Sequence, residues 1–302
     1  SKTEKAYKVQ ALDKMSFELV GGLIFVDAEM GGICDQYIFD TGAPTLVINT
    51  KDYNKARNVS YVSGFSGKVP IVAKTVKGFQ IGEYKNKNLL AFYTDISHLE
   101  RIKKRSVKGL IGVDAFKKKE VLFNYKDQEM LFLPKKRKTK KIADYQEISM
   151  VRFRKQGHIP VVKMKIGKKT FYFGIDTGAE VNILSKRLLK KVKEDNIELS
   201  TQRKTIRGID KKSQDAGIGT IKKMSLKEND FYDMEFVFTD ISSINHSNEL
   251  QLDGILGYPF LSSGIFSIDF RKNRLYVWEK SKPEPTPEPL EWLVLDEEDL
   301  EK

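Results

Sequence analysis

Two short segments of this chain carry residue types suited to acid–base chemistry. Asp40-Thr41-Gly42-Ala43 returns 136 positions later as Asp176-Thr177-Gly178-Ala179. A single Asp-Thr-Gly is ordinarily a turn, because Asp and Gly are both favoured there. A matched pair, each between two apolar runs, points instead to one shared site. Two carboxyls about 3 Å apart cannot both ionise, so they hold one proton between them. One can take a proton from water while the other gives one to a carbonyl oxygen, which hydrolyses an amide with no metal and no covalent intermediate. Gly42 and Gly178 permit close backbone approach. Thr41 and Thr177 carry hydroxyls that can bridge from one loop to the other. Ala43 and Ala179 offer no hydroxyl to an ionised carboxylate, so the shared proton is expected to be held to mildly acidic pH.

Other chemistries find less support. The chain has one Cys and three His (His98, His158, His246), far apart in sequence. That excludes an internal disulfide framework and a Cys-rich zinc site, and no metal or other cofactor is expected. At 302 residues with 40% hydrophobic side chains it can form about two domains with real cores. No apolar run approaches the roughly 18 residues of a membrane-spanning helix.

The elements that must position the two loops also recur. Thr94-Asp95-Ile96-Ser97 returns as Thr239-Asp240-Ile241-Ser242, and Gly109-Leu110-Ile111-Gly112 as Gly254-Ile255-Leu256-Gly257, both 145 positions later. Apolar runs of strand length at 23–30 and 160–166 each lead through a polar turn into a second strand, 36–39 or 170–175, which ends on Asp-Thr-Gly. A further strand follows at 46–48 or 181–184. The small glycine-flanked segments suit a strand buried behind each loop. Each copy closes on a hairpin pattern, 121–133 or 266–277. The spacing predicts mainly β structure, with one amphipathic helix over 185–192 capped by Ser185 and packed through Leu188, Leu189 and Val192. The copies divide the chain into lobes at 1–134 and 143–280, a basic linker at 135–142 and a Pro-rich acidic tail at 281–302.

As a set, these motifs resemble the aspartic proteases, and Ala after Asp-Thr-Gly resembles the retropepsin-like branch. Retroviral enzymes dimerise one such half, whereas this chain resembles two halves fused. The resemblance spans nearly all of residues 7–280. It implies a bilobal acid-protease fold, with two homologous β-barrel-like lobes about a pseudo-twofold axis and a cleft between them. It implies Asp40 and Asp176 as the catalytic dyad, Thr41, Gly42, Ala43, Thr177, Gly178 and Ala179 as loop support, and Ile111-Gly112 and Leu256-Gly257 as the strands behind. Flap hairpins would fall at Gly64-Phe65 and Gly208-Ile209. A Tyr of the pepsin-type flap is not matched; Tyr61 and Phe65 are the candidates.

The partner implied is a polypeptide substrate, and a single chain holding both halves is expected to act as a monomer. The alternative is a catalytically silent module on the same fold that binds peptide or polyanion. The formal net charge is +12. The tail carries eight acidic and two basic side chains, which leaves +18 on the remainder. A body that basic can attract a polyanion, although a solvated Lys-rich surface is the preferred reading of the charge. The basic run at 135–141 reads as a solvated linker, with a polyanion patch as the other reading. Alternating prolines at 283–289 make an extended strut, and the apolar patch at 290–295 beyond it can dock on the body or on a partner. The missing initiator Met carries a weak expectation of export to a periplasm or cell surface, with the cytoplasm as the alternative.

Overall fold

The computed structural model describes residues 13–51, 58–63, 68–134, 140–192, 196–207, 213–245 and 251–281. The candidate flap residues Gly64, Phe65, Gly208 and Ile209, most of the basic linker and almost all of the tail lie outside them.

Among the described residues, twenty-three strands carry the fold. The first eleven are β1 (Asp13–Ser16), β2 (Glu18–Val20), β3 (Leu23–Met30), β4 (Ile33–Phe39), β5 (Leu46–Asn49), β6 (Ser60–Ser63), β7 (Lys68–Ile81), β8 (Tyr84–Thr94), β9 (Gly109–Ile111), β10 (Glu120–Asn124) and β11 (Glu129–Leu133). Then come β12 (Lys141–Ile142), β13 (Tyr145–Arg152), β14 (Arg154–Gln156), β15 (Ile159–Ile166), β16 (Lys169–Ile175), β17 (Ile183–Ser185), β18 (Ile197–Arg207), β19 (Ser213–Leu226), β20 (Asn229–Thr239), β21 (Gly254–Leu256), β22 (Ile265–Asp269) and β23 (Arg274–Lys280). Helices are short: α1 (Ser97–Lys103), α2 (Ser242–Asn245) and α3 (Tyr258–Leu261).

Two eight-stranded sheets share one topology. The first runs β2-β3-β4-β9-β5-β8-β7-β6 and the second β14-β15-β16-β21-β17-β20-β19-β18, the same order strand for strand. Pairing of β3 with β7 closes the first into a barrel of six strands. The single pair Lys165↔Ser225 bridges the second. Alternation of apolar and polar residues turns one face of the outer strands inward; the end of β15, for example, buries Met164 and Ile166 while Lys163 and Lys165 face out, whereas the short β9, β17 and β21 are buried throughout. This is the mainly-β, two-lobed architecture that the sequence predicts.

A third sheet joins the lobes. Its order, β1-β11-β10-β22-β23-β13-β12, places one lobe's closing hairpin beside the other's, through β10 and β22 in antiparallel register from Glu120↔Asp269 to Asn124↔Ile265. The chain therefore pairs its two halves by continuous backbone hydrogen bonds. Buried polar groups in this sheet are satisfied: Ser267 donates to Glu120 at 2.7 Å and accepts from the Trp278 indole at 2.8 Å. Asp269, fully buried, takes a two-pronged contact from Arg271.

The predicted helix at 185–192 is corrected. Residues Lys186–Lys191 form a 3₁₀ segment, and Ser185 ends strand β17 with no side-chain cap bond. Six residues are too few to repay α-helix nucleation, and four of the six are basic and repel. The predicted apolar face still turns inward, with Leu188 and Val192 buried.

The glycine-flanked strands have a steric cause. Strand β9 lies parallel to β4 and antiparallel to β5, so the loop joining β4 to β5 wraps over its end. A Cβ on Gly112 would collide with the carbonyl oxygens of Ala43 and Thr45, and one on Gly257 with those of Ala179 and Val181. Gly109 and Gly254 abut the carbonyls of Val47 and Ile183 in the same way. Gly112→Ala and Gly257→Ala are each expected to cost about 2 kcal/mol or more, since backbone must shift. Gly31, at φ +62° with nothing within 4 Å of an added Cβ, should cost only about 1 kcal/mol on the same change. Urea unfolding of the three variants checks the order; a Gly112→Ala variant no less stable than Gly31→Ala would refute the packing argument.

Candidate active site

Both Asp-Thr-Gly loops leave a buried strand at its C-terminal end. The strand before each is anchored by aromatic packing: Phe39 lies 4.4 Å from Phe116 and 5.4 Å from Phe123, ring centre to ring centre. Phe116 in turn meets Phe270 of the other half at 5.7 Å. Asp40 N–H donates to Ile111 O and Asp176 N–H to Leu256 O, each at 3.0 Å, so each Asp is tied to the strand behind its loop.

The loops then lock to each other. Thr41 N–H donates to Thr177 Oγ1 at 3.0 Å, and Thr177 N–H to Thr41 Oγ1 at 2.9 Å. Each hydroxyl donates onward to the strand opposite, Thr41 to Ile175 O at 3.1 Å and Thr177 to Phe39 O at 2.9 Å. Both threonines are buried. This reciprocal grip leaves no polar group of the two side chains unpaired.

With the threonines so placed, the carboxyls meet. A Cβ on Gly42 would lie 2.5 Å from Asp176 Oδ2, and one on Gly178 would strike the Asp40 carboxylate. Only glycine leaves each carboxyl room against the opposing loop. The side chains of Asp40 and Asp176 hydrogen-bond to each other. Each also accepts from its own loop at 2.8 Å, Asp40 from Gly42 N–H and Asp176 from Gly178 N–H. Ala43 is buried and Ala179 half-buried behind the loops.

The electrostatics follow from this packing. Asp40 is held well above the ordinary carboxylate range, first by burial and then by the charge of Asp176. Asp176 is raised by burial and pulled back by the Gly178 N–H and by the bond from Asp40. A shared proton therefore persists to higher pH than on an isolated Asp. Chemically, the pair can present one acid and one base side by side.

Residues 162–260 match the aspartyl protease family model. That stretch is about a third of the chain and contains the second loop, Asp176–Ala179, with its glycine-flanked strand. No curated protein matches the chain. Within the matched stretch the 3₁₀ segment and strands β18–β20 also form a pocket of about 550 Å³, lined by Leu189, Leu199, Ile218, Phe238, Lys186 and Arg203 among others. Neither candidate Asp lines it. The hairpins that would carry the flaps are present as β6–β7 and β18–β19 up to their tips. Tyr61, on β6, is 65% exposed.

Two contributors went unread in the sequence. Lys103, at the end of α1, is buried against the second loop and pairs with Glu180 at 2.6 Å. His158 reaches the first loop, its Nε2 2.7 Å from Gly42 O. The second had a signal: carried upstream, the 136-residue offset sets Gly157-His158 against Gly21-Gly22. Among the described residues no cluster of His, Cys, Asp and Glu could hold a metal, and no helix is long and apolar enough to cross a membrane.

Two measurements test this geometry. Thr41→Val or Thr177→Val removes one buried hydroxyl and strands its partners, at an expected cost of about 1–3 kcal/mol in urea unfolding, while the Ser variants retain the bonds and most of the stability. The raised Asp40 makes a second, opposite-signed prediction. Above the unfolded value near 3.8 the unfolded chain releases a proton that the folded pair keeps, so stability falls as pH rises. Asp40→Asn should therefore melt higher than the parent at pH 7, and that gain should shrink as the pH is lowered through about 4. An equal shift in melting temperature at both pH values would contradict the raised titration.

Proposed function

We propose that the chain is an aspartic endopeptidase, built from two retropepsin-like half-sites repeated within one polypeptide. In this reading residues 1–134 and 143–280 are the two lobes, 135–142 links them, and 281–302 is a tail outside both. What supports it most is the direct contact between the carboxyls of Asp40 and Asp176 on loops held by the threonine grip. The aspartyl protease match over 162–260 adds independent support for the second half.

The chemistry runs through one water between the two carboxyls. The ionised carboxylate takes a proton from the water, whose oxygen bonds to the carbonyl carbon of the scissile peptide. The protonated carboxyl gives its proton to the carbonyl oxygen, and a tetrahedral diol forms. Collapse of the diol breaks the C–N bond as a proton passes to the leaving nitrogen. Atoms balance with water as the only co-reactant. The substrate lies extended between the lobes, where hairpins can add main-chain hydrogen bonds to it.

Cleavage of an unfolded protein substrate tests this reading. Asp40→Asn and Asp176→Asn should each lower kcat at least about 100-fold. The parent should peak at mildly acidic pH, because burial holds the shared proton upward. A statine-type mimic of the diol should inhibit and a metal chelator should not. Full activity in either Asn variant, or an optimum near pH 2–3, would count against the mechanism.

A further inference from the structure

The two halves differ at one position beside the dyad. The β2–β3 turn and the β14–β15 turn are equivalent in register: Phe25 pairs with Ile38 as Val161 pairs with Gly174. Gly21 and Gly157 take the same left-handed conformation, at φ +58° and +60°. The next residue is Gly22 in one turn and His158 in the other. Over Gly22 lies the ring of Tyr258, 2.8 Å from where a Cβ would stand. Tyr258 follows Gly257, and its counterpart after Gly112 is the smaller Val113. The glycine that packs under a tyrosine in one half thus corresponds to a histidine in the other, and the tyrosine to a valine.

The histidine reaches into the site. A carbonyl oxygen only accepts, so the 2.7 Å contact with Gly42 O fixes a proton on His158 Nε2. Gly42 is also the residue against which the Asp176 carboxylate packs. The imidazole and that carboxylate therefore meet at the same glycine. The other charged group acting on the ring is Asp114, which is paired with Lys117 at 2.7 Å. No side chain can do this from Gly22, so the half-sites cannot be electrostatically alike.

We propose that His158 makes the two carboxyls inequivalent, holding the first loop through Gly42 and placing its imidazole beside Asp176, so that the shared proton resides on Asp40 and Asp176 is the base. This rests on the protease reading for its catalytic meaning; the inequivalence itself does not. Burial of His158 lowers its affinity for a proton, so the ring is neutral near neutral pH and charges as the medium becomes acidic. The positive charge then arrives where the second carboxylate would otherwise be protonated, and it keeps Asp176 ionised further into acid. His158 is a positioning residue in this scheme and touches no reacting atom.

NMR titration of the imidazole and of the two carboxyls in the full chain tests the proposal without any activity. Asp176→Asn should lower the pH at which His158 charges by about half a unit or more, because a neighbouring negative charge is gone, and Asp40→Asn should not lower it. His158→Gln keeps a donor to Gly42 O but carries no charge, so the lower carboxyl titration should rise by about half a unit. On the protease reading, kcat/KM on the acid limb of the pH profile then falls about threefold while the alkaline limb stays in place. A ring titration that ignores Asp176→Asn, or carboxyl titrations unchanged in His158→Gln, overturns the proposal, and the first needs no change at His158. A parent that cleaves nothing, with these shifts intact, would sink the protease reading alone and leave the inequivalence standing.

Discussion

Four hydrogen bonds between two buried threonines and the opposite strands hold the centre of this molecule together. They are what allows two carboxyls to sit in contact. Bringing two like-charged groups out of water and against each other is unfavourable by itself, whether by desolvation or by repulsion. The clamp offsets this by tying each loop to the backbone of the other half, where buried donors and acceptors find no water to replace them. The carboxyls respond by keeping a proton. The unusual acidity of the pair is thus a consequence of the same packing that fixes its geometry.

The clamp in turn depends on a strand arrangement that leaves no freedom to the loops. Each loop crosses the end of a short strand, β9 or β21, and its carbonyls fill the volume that a side chain on Gly112 or Gly257 would need. The shared sheet formed by β10, β11, β22 and β23 holds the halves at a fixed separation through paired backbone. Aromatic contacts from Phe39 through Phe116 to Phe270 connect the strand before Asp40 to that sheet. A displacement at the interface would therefore be transmitted to the loops through close-packed side chains.

The strand order shared by the two sheets makes the differences between the halves informative. Lys103 and Glu180 form an ion pair from α1 of one half to the second loop, and Glu180 stands where the first loop has Pro44. Asn182 is fully buried where the first half has Leu46, and its side chain joins Gly257 N–H to Glu235 O. His158 stands opposite Gly22. Glu180 directly follows the second loop, Asn182 bonds the backbone of the glycine behind that loop, and His158 bonds Gly42 of the first, so the two loops are flanked by different polar groups.

Much of this was legible in the residues alone. The repeated Asp-Thr-Gly-Ala, the glycine-flanked apolar segments and the alternation of the flanking strands are local patterns, and local patterns survive in a one-dimensional reading because side-chain period and steric demand are properties of neighbours in sequence. The strands, the two-lobed division of the sheets and the placement of the loops followed from them. What folding alone decided involves residues far apart. That β10 and β22 pair across the halves, that 186–191 tightens to a 3₁₀ segment, that Lys103 finds Glu180 and that His158 reaches Gly42 depend on contacts between distant segments, whose energies no local propensity encodes. The meeting of Asp40 with Asp176 is of the same kind: the sequence repeats each acid in its turn, but only the fold sets the two against each other and gives them a proton to share.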